Sequence, residues 1–211
     1  MTKLILIRHG ETEWNLLGKI QGCTDIELTP NGIQQANEVA QQIKGNFDII
    51  YSSPLHRALI TAQKIAGDKE VHLIEGMKEI PFGTWEGHTF EELNGDINYK
   101  KFLSGEDGCP FDSTGMSIAS WSKKNAQLLL DLCKQNENKT IVCVSHGAWI
   151  KTSILGLLEM EPTMYHKFQL GNTGITTFIF RHGHPVLTSF NSTQHLLTEN
   201  KSKTGHHHHH H

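Results

Sequence analysis

The sequence predicts an α/β fold, a three-layer sandwich with a mostly parallel sheet and helices on both faces. Three observations carry that expectation. Short unbroken apolar runs at residues 4–7 and 140–144 have the pattern of strands covered on both sides. Between such runs, apolar residues recur at helical spacing, as at Ile33, Ala36, Val39, Ala40 and Ile43. Two of the strands end in the same way, at His9-Gly10 and His146-Gly147, which gathers polar groups at one edge. In open α/β sheets the crevice beyond the carboxyl ends of the strands is where ligands bind.

The first strand stops at Arg8-His9-Gly10. Arg8 offers a fork of donors suited to phosphate or carboxylate, and His9 is a further donor or, if neutral and oriented, a nucleophile. Gly10 allows a sharp turn and a close approach to the backbone. Residues 16–28 have no sustained period and are expected to form a loop. Thr29 is the expected N-cap, and Pro30 the first residue, of a helix stopped by Gly45. A second strand spans 47–51, and Ser52-Ser53-Pro54 has the composition of an N-cap and first turn. The helix it opens carries Leu55, Ala58, Leu59, Ala62 and Ile65 on one face. Arg57 then falls in or just past the first turn, where unpaired amide N–H groups favour anions.

Residues 71–74 suit a third strand. The irregular stretch 75–87 after it holds the carboxylates Glu75, Glu79 and Glu86, and periodicity alone does not choose among them. Short helical pieces at 89–94 and 96–103 lead into a polar stretch from Ser104 to Pro110, so an insertion around 89–116 is expected to act as a lid. Ser117 caps a helix with Ile118, Trp121, Leu128, Leu129 and Leu132 on its apolar face. The strand at 140–144 follows, then a helix from about Ala148 to Leu158. Two last strands, 176–180 and 186–190, flank His182-Gly183-His184, a spacing that suggests a hairpin turn more than a metal site.

Composition narrows the function. The chain has 211 residues, of which 206–211 are a polyhistidine run of purification-tag type and 203–205 a scar, leaving one domain over residues 1–202. Cys23, Cys109, Cys133 and Cys143 show neither Cys-x-x-Cys spacing nor disulfide density, which argues against metal ligation and fits a reducing compartment. The net charge of −3 is interspersed, without the basic stripe that nucleic acid needs. No apolar run approaches the ~18–20 residues of a membrane span. A soluble, cytoplasmic protein is expected, with neither nucleic acid nor membrane as a partner. Its oligomeric state stays open, a homodimer being one option, since Phe168 and Leu170 suit either core or interface.

Arg8-His9-Gly10-Glu11-Thr12 followed by Trp14-Asn15 resembles the signature of the histidine phosphatase superfamily, in its phosphoglycerate-mutase-like branch. Three later stretches are similar to that family's other motifs. They are Ser52-Ser53-Pro54-Leu55-x-Arg57-Ala58-x-x-Thr61-Ala62, Glu79-x-x-Phe82-Gly83-x-Trp85-Glu86-Gly87 and Val142-x-Val144-Ser145-His146-Gly147. The resemblance spans nearly the whole chain before the tag and implies the phosphoglycerate-mutase-like fold. It further implies a phosphatase without cofactor or metal. His9 would form a phosphohistidine, and Glu79 would protonate the leaving oxygen and then activate water. Arg8, Arg57, Asn15 and His146 would hold the phosphoryl group, and Glu86 would brace its loop. Gln21, Gly22, His88 and Gly147, with the lid and residues 171–175, are the expected substrate-binding rim.

Water is the expected acceptor of the phosphoryl group. Mutases of this family resemble Glu-Arg-x-Tyr-Gly in the acid loop, where this chain has Ile80 and Phe82, and Ala148 stands where they have Asn. The segment 89–117 has Lys100-Lys101 but no Arg. Thr114-Gly115-Met116-Ser117 also departs from many phosphatase relatives, which resemble Gly-Gly-Glu-Ser there. No dense basic cluster points to a polyphosphorylated substrate, so a small phosphomonoester of the phosphoserine kind is expected. Three alternatives carry their own marks. A phosphoglycerate mutase would return the phosphoryl group to a bound acid. A catalytically silent phosphoester- or protein-binding module would have lost His9 or Glu79, and both are present. A metal-dependent hydrolase built on the scattered histidines would be stopped by EDTA.

Overall fold

A computed structural model describes residues 1–105 and 115–197; the tag, the scar, Cys109 and the centre of the lid-like insertion lie outside the described residues. Six strands form one sheet: β1 (Lys3–Arg8), β2 (Ile49–Ser52), β3 (Val71–Leu73), β4 (Thr140–Ser145), β5 (Ile175–Arg181) and β6 (His184–Ser192). Their spatial order is β3-β2-β4-β1-β5-β6. The first four run parallel, and β5 and β6 are antiparallel additions at one edge. β1 and β4 pair from Lys3 opposite Thr140 to Arg8 opposite Ser145, so His9 and His146 leave the sheet side by side. On the other flank of β4, Ser52 pairs with Val144, which brings Ser53 to the same edge.

Alternation along the strands builds the two cores. Leu4, Leu6, Ile141 and Cys143 pack against α6 (Ile118–Gln135) and α7 (Gly147–Leu157). Ile5, Ile7, Val142 and Val144 pack against α2 (Pro30–Ile43) and α3 (His56–Ala66). Three short helices complete the set: α1 (Glu13–Leu17), α4 (Phe90–Leu93) and α5 (Ile97–Ser104). A third apolar cluster joins Ile80, Phe82, Trp85, Tyr99, Phe102 and Trp121 with Ala148 at the start of α7. It ties α5 and α6 to the loop that carries Glu79. Among the described residues, no helix is long and apolar enough to cross a membrane.

Several expectations need correction. The loop expected from residue 16 begins later, because α1 forms first. Thr12 caps it by accepting from the Asn15 N–H, while the Asn15 side chain accepts from the Thr12 N–H. The helix expected to open at Ser52-Ser53-Pro54 starts at His56, with Leu55 as an N-cap that makes no side-chain bond. Ser53 is used elsewhere, as shown below. Residues Pro162–Lys167 form a 3₁₀ turn that no periodicity announced. Leu170 is core, and Phe168 packs against that core half-buried. The hairpin is present: His182 and Gly183, at φ 51° and 80°, join β5 to β6 with Arg181 paired to His184.

Candidate active site

The chain after β1 is fixed from below before it offers any chemistry. A Cβ on Gly10 would sit 2.5 Å from the Gly32 carbonyl oxygen, so the strand end can lie against the start of α2 only without a side chain there. Glu11 is buried and accepts from Thr29 Oγ1 (2.9 Å) and Asn31 Nδ2 (3.3 Å). It therefore braces α2 and is turned away from the strand ends. The Gly10 N–H donates to Thr61 Oγ1 of α3 at 3.1 Å.

On that base, His9 is held by its own neighbour. Nδ1 lies 2.6 Å from the Gly10 carbonyl oxygen, and since a carbonyl can only accept, Nδ1 carries the proton. The Nε2 nitrogen of the neutral ring then carries the lone pair, as a nucleophile requires. The His146 ring lies 5.2 Å away, centroid to centroid, tilted by 55°. His146 is the N-cap of α7 and fully buried. Its Nε2 is 2.8 Å from Ser53 Oγ, which already accepts from the Leu55 N–H. The serine proton is thus left to donate to Nε2, and Nδ1 becomes an N–H donor. That Nδ1 has no hydrogen-bond partner among the described residues. Burial, reinforced by the charges of Arg57 and Arg8, holds the His146 pKa well below the usual range, so the ring is neutral at pH 7.

The two arginines are equally confined. Arg8 donates to the Leu170 carbonyl (2.5 Å), and Arg57, in the first turn of α3, donates to the carbonyls of Gly22 (2.6 Å) and Thr24 (2.5 Å). Burial brings both down to about 10, which still leaves them cationic at neutral pH. Arg57 Nε and Asn15 Nδ2 are buried donors with no acceptor among the described residues. Asn15 is aimed by its Oδ1, which accepts from Thr12 N and from Asn172 Nδ2. Together with His146 Nδ1 they form a set of donors whose missing partner is an acceptor. A buried donor left unpaired costs about 1–3 kcal/mol, so this set is expected to be satisfied by a bound anion.

Glu79 closes the site. Oε1 accepts from the N–H groups of Ile80 and Trp149 (both 2.9 Å), and Oε2 accepts from Ala148 N (3.0 Å) at the start of α7. Burial raises its pKa above the usual carboxylate value, against the pull of those N–H bonds and of Arg57. Oε2, with one donor, has room for a proton. Glu86 behaves differently, bridging two loops through Phe82 N (2.9 Å), Thr24 N (3.1 Å) and Cys23 N (3.3 Å). A Cβ on Gly22, at φ +52°, would strike that carboxylate.

Of the residues expected from the sequence, Arg8, His9, Asn15, Gln21, Gly22, Arg57, Glu79, His146 and Gly147 are all buried around these strand ends. His88 differs. Its side chain is half exposed and bonded to Glu92 at 2.8 Å. Two further residues have polar roles here that the motifs did not announce, Ser53 and Lys151, and from the expected rim segment 171–175 Asn172 donates to the His9 carbonyl at 3.2 Å. Lys151 had a signal, being the lone charge in an otherwise apolar helix. Among the described residues, no three His, Cys, Asp or Glu side chains are grouped to hold a metal ion.

A solved structure of a phosphoserine phosphatase mutant (H9A) from Entamoeba histolytica in complex with phosphoserine is 99% identical, with a TM-score of 0.91, covering 93% of this chain and 100% of that one. Phosphoserine phosphatase 1 of Hydrogenobacter thermophilus is 32% identical over 93% of this chain and 95% of its own length. An uncharacterized phosphatase, PhoE, of Bacillus subtilis is 31% identical over 93% and 97%. The sequence model of the histidine phosphatase superfamily (branch 1) matches residues 4–193, and the chain belongs to that superfamily.

Proposed function

We propose that the protein hydrolyses phosphoserine, a small phosphomonoester, through a phosphohistidine on His9. The observation that carries the mechanism is the hydrogen bond from His9 Nδ1 to the Gly10 carbonyl, which reserves Nε2 for attack on phosphorus. Arg8, Arg57 Nε, Asn15 Nδ2 and His146 Nδ1 supply charge and donors to the equatorial oxygens as the phosphoryl group transfers. Glu79, protonated on Oε2, gives its proton to the serine oxygen. As a carboxylate it then takes a proton from the water that attacks the phosphohistidine. Gln21, Gly22, Gly147 and His88 form the rim, with His88 at its solvent side. Phosphoserine as the ester rests on the 99% identical protein, whose complex contains it.

Phosphate release in EDTA from phosphoserine, 3-phosphoglycerate and an aryl phosphate tests this reading, with His9→Ala and Glu79→Gln alongside. Phosphoserine is expected to be turned over best, and His9→Ala to lose at least about 10⁴-fold. Glu79→Gln is expected to lose about 10²–10⁴-fold on phosphoserine and less on the aryl ester, whose leaving group needs no proton. Equal losses on both esters would remove Glu79 as the acid. Release that requires added metal would favour the metal-dependent alternative.

A further inference from the structure

Lys151 has no place in the mechanism above, yet it is the only lysine among the described residues to be fully buried. Its ammonium has no hydrogen-bond acceptor among the described residues. What it has is an aromatic face on one side: Nζ lies 3.9 Å from the Tyr165 ring centroid and 5.5 Å from that of Phe168. A buried ammonium left without an acceptor is costly, and most sequences would place an apolar residue there. The position explains what it faces. Ala148, whose N–H binds Glu79 Oε2, is three residues earlier on α7, so Lys151 follows it on the same side of the helix.

The charged neighbours come from every element packed around it. Burial, helped by Arg8 at the end of β1 and opposed by Glu79, brings Lys151 down to about 7. Tyr165 and His166 lie in the 3₁₀ turn, where His166 is pushed down to about 4 by burial and by the charges of Lys151 and Lys167. Tyr165 in turn feels Glu79, Arg8 and Tyr99 of α5. From α6, the buried polar groups are Ser122 and Asn125, which carry no charge. Arg8, Arg57 and Lys151 are thus three buried cations around the buried carboxylate of Glu79, Glu11 being committed to α2, while Arg57 also feels Asp25 and Glu86. Once Glu79 has given its proton to the leaving group, the charge of Lys151 favours the carboxylate that remains.

We infer that Lys151 is a positioning residue of the phosphoryl site, a third buried cation beside Arg8 and Arg57 that favours the carboxylate form of Glu79 after it has given up its proton and adds charge for a doubly charged anion. The inference rests on the phosphomonoesterase reading. Lys151 acts through Glu79, in the step where Glu79 must be ionised to activate water. An aryl phosphate makes that second step limit kcat, because its first step needs little acid assistance.

The test compares wild type, Lys151→Met and Lys151→Arg in the pH dependence of kcat for an aryl phosphate. Without the ammonium, the Glu79 carboxylate loses a stabilising charge, and the acid limb of kcat is expected to move up by about one pH unit. Lys151→Arg keeps the charge and should bring the limb back. A second readout needs no turnover: sulfate, which stays divalent across this range, should lose affinity between pH 6 and 8 more steeply in wild type than in Lys151→Met. Thermal melts accompany both, and Lys151→Met is expected to leave Tm unchanged or higher, since it removes a buried unpaired charge. Coinciding acid limbs, or an arginine variant that behaves like the methionine one, would overturn the inference. So would a large loss of Tm in Lys151→Met, which would make the lysine a packing residue. If wild type hydrolyses no aryl or alkyl phosphate, the phosphomonoesterase reading itself fails, and the sulfate comparison alone decides the charge role.

Discussion

The ends of β1 and β4 are built alike and work differently. Each is a fully buried strand that delivers His-Gly to the same edge of the sheet, in neighbouring register. At His9 the bonded nitrogen is Nδ1, and its partner, a carbonyl, can only accept. At His146 the bonded nitrogen is Nε2, and its partner, the Ser53 hydroxyl, has a proton to give. The first ring therefore presents a lone pair through Nε2 and the second an N–H through Nδ1. Chain direction matters too, since β1 runs on into an irregular turn while His146 caps α7 directly. In the proposed mechanism, what separates nucleophile from oxyanion donor is thus the partner of the other ring nitrogen, not the strand or the dipeptide.

The sharpest way to break this comparison is to delete the two rings in turn. His9→Ala should abolish phosphoenzyme formation, whereas His146→Ala should still form the phosphohistidine, about 10²–10³-fold more slowly, in a rapid-quench assay with labelled substrate. Comparable loss in both variants would make the two rings one functional unit. The next effect is on stability. His146 is depressed in the folded state, so above pH 6.5 the ring is neutral whether folded or not and stability is unaffected. As pH falls below 6.5, the unfolded chain takes up a proton that the fold refuses, and stability should drop by about 1.4 kcal/mol per pH unit. Melts of wild type and His146→Gln from pH 7.5 to 5 should converge; parallel curves would mean that the ring protonates freely. The smallest effect expected is that of Ser53→Ala. Losing one bond to a buried group, about 1–1.5 kcal/mol, should slow kcat roughly tenfold and leave KM for phosphoserine near wild type.

Most of the architecture was legible because it follows from local periodicity: the strand at 4–7, the Thr29-Pro30 helix start, the Ser117 cap and the hairpin all lie where their residues predicted. The charged and imidazole groups of the site were legible because short motifs carry them. What was not legible is how those groups are oriented. Ser53 and His146 are 93 residues apart and meet only because β2 pairs with β4 in one register, with Ser52 opposite Val144. From sequence, Ser53 has the composition of a helix cap, and tertiary pairing takes it for another use. Lys151 poses the same problem in another form. Helical periodicity places a lone lysine in an apolar stretch but does not say that Tyr165, fourteen residues on, folds back across it. Nor did any local pattern show that α1 forms, because its cap depends on the Asn15 side chain turning back onto Thr12.

The β5–β6 hairpin has a practical consequence. β5 runs antiparallel to β1, so its last residue, Arg181, is level with the start of β1, at the end of the sheet opposite His9. The turn at His182 and Gly183 is exposed. A surface tether, a fluorophore or an inserted reporter at that tip would leave the mouth of the pocket facing bulk solution. Immobilisation through residues 182–183 should therefore orient the catalytic side outward on a support, in place of the random presentation that coupling through scattered surface lysines gives.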